Sequence, residues 1–217
     1  AVFSIGVTSL PKYYEKKRHG FVNGVYGVGN VGTAVTSFAA PFLAAQIGWQ
    51  STIRLYLGLL LFFILLNFLV GDRHEKKVQA PIIPQIKSVI DNEKMWFLSL
   101  FYFITFGSFV AFTIYLPNFL VSNFGLTSGD AGLRTAGFIA LATFLRPVGG
   151  WLGDKFNSFI LLMAVFAGLT LAGVVFNVTA TTEIYTVGVL SVAVCAGIGN
   201  GLVFKLVPFY FSKEAGG

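Results

Sequence analysis

The chain has 217 residues, of which 55% are hydrophobic and only 11% charged, with a net charge of +6 and a mean hydropathy of +0.77. Soluble domains carry about 25% charged residues, so the composition excludes an ordinary soluble fold and points to an all-α, polytopic membrane protein. The positive balance does not indicate nucleic acid, because Lys and Arg stand in short clusters between long apolar runs rather than along a basic stripe.

A spanning helix needs about 20 mostly apolar residues. Residues 1–10 supply an incomplete run that opens Ala1-Val2-Phe3-Ser4, and the chain is expected to be an internal piece of a longer protein. A basic loop, 11–19, follows. Six full candidates come next, at roughly 20–45, 51–71, 95–122, 131–153, 157–177 and 184–211. The connections are short except 72–94, which is polar and rich in Lys and Pro; a short amphipathic helix is expected near 83–91. That segment divides the chain into 1–71, the end of one helical half, a linker at 72–94, and 95–217, the first part of a second half.

Within the first full span, 27-GVGNVG-32 spells G-x-G-x-x-G. As a dinucleotide fingerprint it needs a preceding strand and an acidic residue about 20 positions on. No strand is expected there, and the next acidic residue is Asp72. The cofactor reading fails on context. What remains is a helix with Gly20, Gly24, Gly27, Gly29 and Gly32, spacings that let another backbone or a ligand come close. Asn30 is different, since an amide in hydrocarbon needs partners.

The basic residues sort by side. Lys12, Lys16, Lys17 and Arg18 lie in the first loop, Arg73, Lys76, Lys77, Lys87 and Lys94 in the long one, and Lys155 and Lys213 in alternate connections beyond. The opposite connections carry only Arg54 and Arg134. This positive-inside bias puts loops 11–19, 72–94 and 154–157 in the cytoplasm of a multi-pass cell-membrane protein. His19 and His74 lie in basic loops and Cys195 in an apolar run, so neither a metal ligand cluster nor a cofactor site is expected. The sequon Asn177-Val178-Thr179 reads as chance.

All nine acidic residues fall in loops or at helix ends, whereas Arg146 and Lys205 fall within spans. Counting about 1.5 Å per residue from Lys155 and Lys213 puts each cation roughly 12–13 Å from the cytoplasmic flank. Snorkelling is the competing account, stronger for Lys205 than for Arg146, which is followed by Pro147. Two buried cations without buried anions imply an anionic substrate, and the guanidinium fork suits a planar oxyanion. The span at 95–122 adds Tyr102 and Phe106, four apart and so on one face. The last span adds Asn200 and Phe204 in 197-GIGNGLVFK-205. A weak internal repeat, 1-AVFS-4 against 202-LVFK-205, is what two six-helix halves would produce.

Four stretches together resemble the nitrate/nitrite porter family of the major facilitator superfamily. They are 27-GVGNVG-32, 102-YFITFGSF-109, 146-RPVGGWLGDKF-156 and 196-AGIGNGLVFKLVPFYF-211, similar to the family's fifth, seventh, eighth and tenth helices in order. The resemblance implies an incomplete major facilitator fold running from the end of the fourth helix through the tenth. It implies that Arg146 binds the anion, that Tyr102 and Asn30 add polar contacts, and that Phe106 and Phe3 pack on its flat faces. It implies that Gly29 and Gly32 allow close helix approach during rocking, and that Gly150, Asp154 and Lys155 belong to a loop motif that latches one conformation. Asn200, Phe204 and Lys205 complete the expected substrate site. The expected activity is alternating-access transport of nitrate, nitrite or both, by exchange or with protons. A carrier of another small anion, such as an organic carboxylate, is the alternative. A membrane-embedded enzyme lacks a nucleophile or acid/base pair in the spans, and a purely structural protein leaves Arg146 unexplained.

Overall fold

A computed structural model describes residues 14–70, 90–178 and 181–211. Among these residues every regular element is helical, and six helices are long and apolar enough to cross a membrane. The first is broken. It consists of α1 (His19–Gly27), a 3-10 turn (Val28–Asn30) and α2 (Val31–Ile47). Then come α3 (Trp49–Val70), α4 (Glu93–Phe124), α5 (Ser128–Lys155), α6 (Ser158–Val178) and α7 (Thr182–Tyr210). These match the six expected spans. The expected helix near 83–91, the segment 1–10 and most of the linker lie outside the described residues.

Local chemistry explains the ends. Gly48, at φ 79°, is the one residue between α2 and α3. Gly125 closes α4 in the left-handed region at φ 64°, with its N–H on the Val121 carbonyl at 3.0 Å and the Leu126 N–H on Leu120 at 3.4 Å. Those two bonds satisfy carbonyls that the helix end would leave bare. Thr127 caps α5 by accepting from the Asp130 N–H at 3.2 Å, while its hydroxyl donates to the Asp130 carboxylate at 2.7 Å. Asn157 caps α6 in the same way through the Phe159 N–H at 3.0 Å.

The centre of the bundle is α5 against α7, with α1, α2 and α4 packed around them. Small residues make this contact. A methyl on Gly149 would run into the Ile198 carbonyl, one on Gly197 into that of Ala142, and one on Gly201 into that of Arg146. On the other side of α5, Gly24 would meet the Arg146 carbonyl at 2.7 Å, and Gly20 lies against Gly150. Backbones this close gain dispersion contacts that larger side chains would prevent, the usual means of helix association without a hydrophobic drive. By contrast α3 turns Leu, Phe and Ile outward along nearly its whole length, as a helix bathed in lipid does.

Candidate functional site

Arg146 lies inside α5, its carbonyl against Gly201 of α7, and none of its surface is exposed. It does not snorkel. Its guanidinium instead points to the break in the first span. There the Val31 N–H bonds to the Val28 carbonyl, one residue nearer than the α-helical partner Gly27. The Gly27 carbonyl, where this turn begins, also accepts from Arg146 Nη1 at 3.2 Å. With its amide oxygen turned toward α5, Asn30 accepts from Nη1 as well and from Nη2 at 3.3 Å. Nε is buried with no hydrogen-bond partner. Among the described residues no carboxylate pairs with this guanidinium. The 27-GVGNVG-32 stretch therefore does have a local structure of its own: it is the hinge that aims a carbonyl and an amide at a buried cation.

The aromatic side of the site comes from α4 and α7. Tyr102 stacks on Phe106 at 4.9 Å between ring centres and lies 5.8 Å from Phe204. The guanidinium carbon of Arg146 sits 4.9 Å from the Phe109 ring centre and 5.8 Å from that of Phe106, within cation–π range. So Arg146, Asn30, Tyr102, Phe106 and Phe204, expected at one site, do come together. Phe109 joins them, although the sequence reading placed it only among helix aromatics.

Three polar residues escaped the sequence reading. Asn23 is fully buried and donates through Nδ2 to the Phe204 carbonyl at 3.3 Å, tying α1 to α7, while its Oδ1 has no partner. Thr105 is fully buried and its Oγ1 lies 2.9 Å from Asn200 Oδ1. Thr143 is buried with its hydroxyl unpartnered, one turn before Arg146. The signal was present in part: Asn23, Gly27 and Asn30 recur at intervals of four and three, one helix face.

Two expectations are corrected. Lys205 is not an uncompensated cation. Its Nζ lies 2.5 Å from Asp154 Oδ1, and the two side chains are 17% and 7% exposed. Asp154, at the end of α5, reaches back under α7, a meeting that sequence distance hides. The same carboxylate accepts from the Gly20 N–H at 3.2 Å and the Phe21 N–H at 2.9 Å, the orphan donors that open α1. In this conformation a methyl on Gly29 or Gly32 would meet nothing within 4 Å among the described residues, while Gly20, Gly24 and Gly27 pack closely on α5. Gly150 lies within α5 rather than in a loop, pressed on Gly20, and Lys155 stands over the Trp151 ring at 4.2 Å. Phe3 lies outside the described residues.

The family model described as Major Facilitator Superfamily matches residues 1–217. The chain belongs to the major facilitator superfamily. Among curated relatives, it is similar to a nitrite extrusion protein of Bacillus subtilis, 67% identical over 216 residues that cover 100% of this chain and 55% of the relative. It is also similar to proteins named probable nitrate transporter NarT from Staphylococcus epidermidis and Staphylococcus haemolyticus. These are 55% and 53% identical over 216 residues, covering 100% of this chain and 56% of each relative. The chain thus spans about half the length of the curated relatives it matches. No solved structure matches it. As a superfamily member it presents a partial, all-helical, multi-pass membrane fold, with its broken span beside the one buried guanidinium among the described residues.

Proposed function

We propose that the full-length protein carries nitrate, nitrite or both across the cell membrane by alternating access, and that it is a transporter rather than an enzyme. The observation that supports this most is Arg146: a fully buried guanidinium with no carboxylate beside it, an unpartnered Nε, and flat aromatic rings within 6 Å. A fixed cation in low dielectric is costly alone and is relieved by a small planar anion that takes the fork in two parallel hydrogen bonds. The names of the relatives, a nitrite extrusion protein and probable nitrate transporters, make nitrate and nitrite the natural anions. Residues 1–71 and 95–217 would belong to two rocking halves joined by 72–94, with loops 11–19, 72–94 and 154–157 in the cytoplasm. Tyr102, Phe106, Asn30 and Phe204 would line the anion.

The test is nitrate uptake by the full-length protein in proteoliposomes, wild type beside Arg146→Lys, with nitrite inside or absent and acetate as competitor. Uptake that depends on the guanidinium and is insensitive to acetate supports the reading. Uptake that Arg146→Lys leaves intact overturns the site, and uptake suppressed by acetate moves the substrate to organic carboxylates. Stimulation by internal nitrite marks exchange, and stimulation by an inward proton gradient marks symport.

A further inference from the structure

Thr105 on α4 and Asn200 on α7 are both fully buried, and they meet where these two helices pack together. Thr105 falls between Tyr102 and Phe106 in sequence. Asn200 precedes Phe204 by one turn and adjoins Gly201, which packs on the Arg146 carbonyl. The Thr105 hydroxyl has one proton and three oxygens in reach: Phe101 O at 2.9 Å, Tyr102 O at 3.5 Å and Asn200 Oδ1 at 2.9 Å. The two carbonyls belong to its own helix, which already offers them backbone N–H groups. The choice of acceptor decides the polarity of Asn200. If the proton goes to Asn200 Oδ1, the amide NH2 is left as a buried donor without a partner, as found here. If the proton goes to Phe101, the amide is free to turn and donate to Thr105, which leaves a bare carbonyl oxygen instead.

We propose that Thr105 is a positioning residue for substrate: its hydroxyl holds the Asn200 amide so that the unpartnered NH2 donates to the bound anion. This rests on the transport reading above and deepens it by assigning a neutral donor that supplements Arg146. An anion beside the amide selects the donor orientation, because a bare carbonyl oxygen would repel it. A neutral donor of this kind adds affinity without adding charge.

The test uses the full-length protein in proteoliposomes and measures initial nitrate uptake against nitrate concentration for wild type, Thr105→Val, Thr105→Ser, and Asn200→Ala alone and combined with Thr105→Val. Valine keeps the shape and removes the proton. Thr105→Val is expected to raise KM roughly tenfold, the range for a hydrogen bond to a charged group, with the saturating rate kept within about twofold. Thr105→Ser is expected to restore KM, and the double variant to match Asn200→Ala, since both remove the same donor. A purely structural threonine would lower protein yield or the saturating rate, and serine would not rescue KM selectively. Unchanged KM in Thr105→Val, or additive effects in the double variant, overturns the proposal while leaving nitrate transport standing. Wild-type protein that takes up no nitrate removes the transport reading, and this inference with it.

Discussion

At the scale of the residue, Arg146 and Lys205 show how differently two cations at similar depth are accommodated. Lys205 has a carboxylate at 2.5 Å, so its charge is internally balanced. Arg146 has a carbonyl, an amide and two rings, all neutral. The prediction is that Arg146→Lys, which keeps the charge but loses the fork, lowers nitrate affinity roughly 10- to 100-fold, the worth of one charged hydrogen bond. Uptake kinetics check this. Lys205 behaves otherwise. Asp154→Asn strands a largely buried ammonium and is expected to destabilise the full-length protein by about 3 kcal/mol or somewhat less, given the 17% exposure that Lys205 keeps. Adding Lys205→Met should recover much of that loss, because it removes the stranded charge. Thermal melting in detergent of the single and double variants measures both effects.

At the scale of the element, the spans were legible because about 20 apolar residues in a row leave little choice of structure. The breaks were not. Nothing in 27-GVGNVG-32 reads as a 3-10 turn rather than a continuous helix, since glycines serve both for packing and for irregular backbone. Arg146 could be singled out because a guanidinium in an apolar run is conspicuous. The Asp154–Lys205 pair could not, because Asp154 reads as a helix-end residue until α5 and α7 are laid together. Glycine packing was foreseen for five glycines of this span, and only the three-dimensional contact separates Gly20, Gly24 and Gly27, which pack, from Gly29 and Gly32, which do not in this conformation. The packed set carries its own prediction. Gly149→Ala would drive a methyl into the Ile198 backbone, which cannot move aside as a flexible side chain would. The expected cost is about 1–3 kcal/mol, seen as a lower melting temperature in detergent.

At the scale of the whole molecule, the first span is fastened to α5 at two levels. Asp154 caps the start of α1, and the Arg146 guanidinium holds the break at its other end. Between them Gly20 and Gly24 bring the two backbones together. The Arg146 side chain has no exposed surface as it stands, so a solute reaches it only if some of the packing around it parts, and α1 is one of the elements that cover it. If the halves rock as proposed, separation of α1 from α5 is one way to open the path.

The bond between the Gly27 carbonyl and Arg146 has a consequence for energetics. The carbonyl occupies Nη1, one of the fork nitrogens open to an anion, so under the transport reading the empty protein holds its own competitor for that nitrogen. Measured affinity is then the intrinsic affinity diminished by the work of evicting this built-in rival. The reward for eviction is mechanical: a guest that takes over the fork also unties the first span. Saturating nitrate should therefore speed amide hydrogen exchange at residues 28–31 of the full-length protein, and exchange that stays flat across a nitrate titration would show that the guest and the hinge do not contend for the same nitrogen.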